Sequence, residues 1–129
     1  MTGGQAVVRS LKTEKVKHMF GLIGSATIEI FDALYEEKKI KFIGVRDEKT
    51  GTHMADGYAR ASGQPGIMLA GQNGPGATNL VTGIAQAAAA FSPLVRPSYL
   101  ANLPSPGVLI CRPSRAFLEF LLLCVSGFH

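Results

Sequence analysis

Apolar positions recur along this chain with two alternating periods. Val7, Val8 and Leu11 stand at helical spacing behind Thr2, a residue suited to cap a first helix, and the polar turn Lys12 to Lys17 follows. The compact run His18-Met19-Phe20-Gly21-Leu22-Ile23 predicts a buried strand. Ser25 is a capping candidate for a second helix, whose stripe is Ile28, Phe31, Leu34 and Tyr35 and which closes on Glu36-Glu37-Lys38-Lys39. A second strand is predicted over 41–45. A third helix is predicted over 48–62, with Met54, Ala55, Tyr58 and Ala59 inward and Gly63 placed to stop it. The third strand falls at 67–70. Beyond it, Leu80, Val81, Ile84, Ala85 and Ala88 mark one side of a fourth helix.

Short apolar strands separated by helices of about four turns predict an α/β chain, a parallel sheet with helices on both faces. In such sheets the functional groups gather where strands end and loops enter helices. Three loops therefore point at one edge: 21–24, 46–48 and 71–76.

Composition narrows the class without changing that picture. At 129 residues, 47% hydrophobic and 17% charged, the chain can bury the core of one domain. The formal charge of +4 is spread over lysines that alternate with Glu14, Glu36 and Glu37, and no basic block is interleaved with aromatics. No nucleic-acid partner is expected. Cys111 and Cys124 show no CxxC spacing, so neither a metal site nor a disulfide framework is indicated, and a reducing, cytoplasmic location is expected. Charges interrupt the N-terminal stretch before any signal-like apolar run. The apolar run 117–125 is about half the length of a membrane span and carries Glu119, so no membrane partner is expected.

The loop Gly71-Gln72-Asn73-Gly74-Pro75-Gly76 invites a phosphate-cradle interpretation, since its glycines occupy the first and sixth places of the Walker pattern. Ala77 stands where that pattern needs lysine, and the spacing is not that of a dinucleotide loop. Pro75 and Gly76 fix a tight turn that lets backbone approach a ligand, though a turn without a ligand fits the pattern equally well. Glu48 opens a predicted helix, where the macrodipole favours a carboxylate whatever else it does. His53, alone among small residues, is either a packing residue or a functional one.

Three stretches, "FGLIGS", "VRDEKTGTHMADGYARASGQPG" and "GQNGPGATNLVTGIAQA", occur in an order and spacing that resembles the N-terminal pyrimidine-binding domain of thiamine diphosphate enzymes of the acetolactate synthase group. The family pattern is close to G-x-P-G, then V-R-H-E-x-x-A-x-H-M-A-D-G-Y-A-R, then S-G-P-G-A-T-N-x-V-T-G. The resemblance covers residues 2 to about 95 and implies the thiamine diphosphate-binding fold, here in truncated form. It implies that Glu48 hydrogen-bonds the N1′ nitrogen of the cofactor's aminopyrimidine and so turns the 4′-nitrogen into a base beside the thiazolium C2. A carboxyl group with that task belongs in an apolar cleft at a subunit interface, where desolvation raises its pKa. Ile23 and Gly24 match the G-x-P-G loop, with isoleucine in place of proline, and Gln72, Pro75 and Asn79 match residues lining the pyrimidine pocket. Asp47 stands where histidine is common and is expected to point outward.

The family's magnesium and diphosphate site, a G-D-G followed by a distant asparagine, is absent from this sequence, so magnesium would enter only through a domain this chain lacks. Asp56-Gly57 falls inside the third predicted helix and does not supply it. Residues 1–95 are expected to be a partial pyrimidine-binding domain. Residues 96–129 are expected to be a divergent tail, since five of the seven prolines and both cysteines fall from Pro93 onward. A sheet ending at three or four strands would expose an edge and an apolar face, so self-association is expected. The implied partners are thiamine diphosphate and either further copies of the chain or a subunit carrying the diphosphate-binding domain. The implied activity is a 2-oxo acid carboligase or decarboxylase resembling acetolactate synthase. The alternatives are a sulfoacetaldehyde acetyltransferase-like member, suggested by Gln72-Asn73, an oxalyl-CoA decarboxylase-like member, or a catalytically silent fragment or partner subunit.

Overall fold

The computed structural model describes residues 2–72, 74–97 and 108–111. The elements are α1 (Gly3–Thr13), β1 (His18–Gly21), a 3-10 turn (Ser25–Thr27), α2 (Ile28–Glu36), β2 (Lys41–Gly44), α3 (Glu48–Ser62), β3 (Gly66–Leu69), α4 (Pro75–Asn79), α5 (Val81–Ala89), β4 (Leu94–Pro97) and β5 (Val108–Cys111). The expected α/β architecture is borne out. Thr2 caps α1 through the Gln5 amide, and Gln5 returns a bond to the Thr2 backbone, closing a capping box. Gly63 ends α3 with φ +68°, as a left-handed stop requires.

The strand order is β2-β1-β3-β4-β5. β1 to β4 run parallel, with Phe20 opposite Ile43 and Met68, and β5 joins β4 antiparallel. The chain thus adds two strands beyond the three predicted. β4 pairs with β3, and β5 covers the β4 edge that was expected to stay open. Whether residues 96–129 form a separate tail falls largely outside the described residues, as do Asn73, Cys124 and the apolar run 117–125.

Alternation along β3 divides the core between the two sheet faces. Ile67 and Leu69 pack with Val8, Leu11, Met19, Leu34, Ile40 and Val95 on one side. Met68 and Ala70 pack with Phe20, Ala55, Leu80, Ala87 and Leu94 on the other. Four large side chains of the predicted helical stripes face out instead: Ile28 is 62% exposed, Tyr35 76%, Met54 40% and Val81 60%. On α5 it is Gly83 and Ala87 that turn inward, with Ile84 half-buried, while Ala85 and Ala88 are exposed.

A polar lock joins α3 to α5. The buried Asp56 carboxylate accepts from Arg60 Nε at 3.0 Å and from a terminal guanidinium nitrogen at 2.7 Å, and from Gln86 Nε2 at 3.4 Å. Burial, the largest single influence, would raise the Asp56 pKa, but the Arg60 fork together with Ser92 and Gln86 outweighs it and holds the group below its ordinary value. A lowered folded pKa means that the stabilisation is complete above the ordinary aspartate value of 3.8 and is lost as pH falls through the folded value. Asp56→Asn should therefore cost about 1–2 kcal/mol at neutral pH, discounted for the half-exposed Arg60. The gap to the unsubstituted chain should close in acid, as urea denaturation at a series of pH values would record.

Candidate active site

The strand order reverses between β1 and β3, since β2 lies on one side of β1 and β3 on the other. That reversal opens a crevice at the carboxyl ends of β1 and β3, the usual place for a ligand in an open α/β sheet. The loops that leave these two strands meet there. A Cβ built on Gly24 would lie 1.6 Å from the Gly71 carbonyl oxygen, so only glycine permits the contact. The buried Thr27 hydroxyl lies 3.3 Å from both Gly24 O and Ala70 O, tying the same two loops from beneath.

The third loop brings two carboxylates with divided tasks. Asp47 is the N-cap of α3: its carboxylate accepts from Lys49 N at 2.9 Å, Thr50 N at 3.3 Å and the Thr50 hydroxyl at 2.6 Å. These bonds, the Thr50 hydroxyl first, lower its pKa. With the cap filled, Glu48 is free to turn inward. It is 4% exposed and reaches the crevice, where Oε1 accepts from Gly71 N at 3.3 Å and Oε2 from Asn79 Nδ2 at 3.2 Å. A Cβ on Gly76 would come within 2.9 Å of Glu48 Oε1, so glycine there lets the α4 backbone close directly on the carboxylate.

The residues singled out from the sequence thus fall at one edge of the sheet. Gly24, Glu48 and Asn79 belong to one connected set of contacts, and Gln72 joins it through a hydrogen bond from Ser25 Oγ at 2.8 Å. Pro75 opens α4, and Ile23 is 65% exposed beside the loop contact. Ser25, expected to cap α2, makes no capping bond and instead reaches across to the other loop. Gly76, expected to permit a close backbone approach, makes one against Glu48, whereas the parts of the Gly71 amide and of the buried Thr27 emerge only from the fold. His53 is half-buried on α3.

A buried carboxylate held by one amide and one carboxamide at the crevice suits a flat heteroaromatic ring that offers it a nitrogen. The family model described as thiamine pyrophosphate enzyme, N-terminal TPP binding domain, matches residues 1–98. The chain belongs to this family. Among curated proteins it is similar to acetolactate synthase isozyme 3 large subunit of Escherichia coli strain K12, at 47% identity over 95 residues. It is also similar to the acetolactate synthase large subunit of Buchnera aphidicola from Schizaphis graminum, at 45%, and to a probable acetolactate synthase large subunit of Methanococcus aeolicus, at 46%. Each match covers 74% of this chain and 16% of the relative, so the chain spans about a sixth of their length. The residues present fit the aminopyrimidine of the family's cofactor: a buried carboxylate stands at the crevice with its two oxygens held by Gly71 N and Asn79 Nδ2. Among the described residues no group of three acidic, histidine or cysteine side chains could hold a metal, and no helix is long and apolar enough to cross a membrane.

Proposed function

We propose that this chain supplies the pyrimidine-binding half of a thiamine diphosphate site in a cytoplasmic acetolactate synthase-like carboligase. The observation that carries this reading is Glu48, buried at the mouth of the β1/β3 crevice with its carboxylate held by Gly71 and Asn79. The cofactor, when bound, supplies an electron sink for cleaving a bond next to a carbonyl. The chain's own residues bind and orient the ring. Glu48 accepts a hydrogen bond from the protonated ring nitrogen and so favours the tautomer whose exocyclic nitrogen is an imine, the form that can act as a base. Asn79 and the Gly71 amide fix the carboxylate so that it need not reorganise. Gln72 and Pro75 border the ring, with Gly24 and Ile23 on the facing loop.

The diphosphate and its magnesium would be held by a partner, either another copy of a longer chain or a separate subunit. Supporting this, the exposed apolar residues Ile23, Ile28 and Val81 lie next to the site loops, where such a partner would exclude water. The reading is tested by titrating the 15N-labelled 129-residue chain with 4-amino-5-hydroxymethyl-2-methylpyrimidine. The Gly71 and Gly76 amides should shift, and acetolactate should form from pyruvate only when a polypeptide with the diphosphate-binding half is added together with thiamine diphosphate and magnesium. Silence at both amides up to millimolar probe would refute it.

A further inference from the structure

The hydrogen bond from Ser25 to Gln72 spans 47 residues of sequence and joins the two loops at the crevice mouth. Both residues are exposed, so the bond contributes little to folding, and the loops are already fastened below by Thr27 and by the Gly24–Gly71 approach. The bond's effect is on aim. Ser25 takes the Gln72 carboxamide oxygen, which leaves the amide nitrogen, with two N–H donors, without a partner among the described residues. Gln72 also lies near the carboxylate: a Cβ on Gly76 would lie 3.6 Å from Gln72 Cβ and 2.9 Å from Glu48 Oε1.

We infer that Ser25 is a positioning residue and that the Gln72 amide it aims is a specificity determinant, a donor at the rim that complements the acceptor at the floor. Resting on the assignment of Glu48 above, this defines the ligand class more narrowly than flatness does. The preferred ligand is a nitrogen heterocycle that donates a hydrogen bond to Glu48 from one edge and offers an acceptor to Gln72 from another. An amide donor left unmatched by a ligand lacking that acceptor loses its hydration for nothing, which is how a neutral polar group discriminates.

The test follows the Gln72 side-chain amide resonances of the 15N-labelled full chain during titration with 4-amino-5-hydroxymethyl-2-methylpyrimidine. In the unsubstituted chain the Gln72 side-chain pair should shift together with the Gly71 and Gly76 amides. Ser25→Ala should leave the melting temperature and the Gly71 and Gly76 response intact, abolish the Gln72 response and weaken binding about threefold to tenfold. Ser25→Thr, which keeps the hydroxyl, should restore the Gln72 shift. Unchanged affinity in Ser25→Ala, or a stationary Gln72 pair while the two glycine amides move, overturns the inference and leaves the role of Glu48 standing. Silence at the glycine amides in the unsubstituted chain overturns both.

Discussion

Gly24→Ala is expected to destabilise the chain by about 3 kcal/mol and to abolish ring binding at the same time. The added methyl would meet the Gly71 carbonyl oxygen at 1.6 Å and its carbon at 2.2 Å, and neither belongs to a side chain that can swing away. The loop after β1 must then lift off the loop after β3, which pulls the Gly71 amide from Glu48 Oε1 and breaks the Thr27 bridge. A urea titration should show a lowered midpoint with an unchanged slope. Gly57→Ala is the matched control. Nothing lies within 4 Å of a Cβ there, and it sits in the middle of α3, so it should stabilise by about 0.5–1 kcal/mol. A small effect of Gly24→Ala would mean that the two loops are not in backbone contact.

Glu48→Gln is expected to lower affinity for the aminopyrimidine about tenfold to a hundredfold with little change in stability. The amide oxygen can still accept from Gly71 N or Asn79 Nδ2, so the fold survives. What is lost is the negative charge, and a charged acceptor is worth more to a ring N–H than a neutral one. Calorimetry with the free pyrimidine, alongside thermal melts of both chains, separates the two effects. Equal affinity in the two chains would remove Glu48 from the site.

The sequence shows α3 most plainly, because every device that bounds it is local. Asp47 caps it, Gly63 takes the left-handed conformation that ends it, and its limits Glu48–Ser62 follow. The meeting of three loops at one sheet edge is equally readable, since parallel strands leave their loops on one side. The inward face of α5 is not. Periodicity favours Val81 and Ala85 there, yet α5 turns Gly83 and Ala87 to the core because Thr52 of α3 occupies the space beside Gly83, where a Cβ would come 2.5 Å from Thr52 Cγ2. Close helix approach selects small residues, and hydrophobicity alone does not see it. Ser25 illustrates the same limit for polar groups. Its residue type suits a cap, but its hydroxyl finds a better acceptor in Gln72, a partner that local sequence does not specify. Glu48's direction depends on Asp47 having taken the cap, a choice between adjacent carboxylates that spacing leaves open. The antiparallel β5 comes from a stretch whose composition reads as tail.

The β2-β1-β3 order means that no short segment carries the pocket by itself. Its walls come from residues 24–27, 48, 71, 72 and 74–79, and they adjoin only after β1 and β3 have paired across the chain, Phe20 against Met68. Closing so long a loop is a late, entropically costly event, so a partly folded chain offers nothing for a ring to grip. A small heterocycle that occupies the crevice would act as a selective trap for finished molecules and draw the folding equilibrium toward completion by mass action.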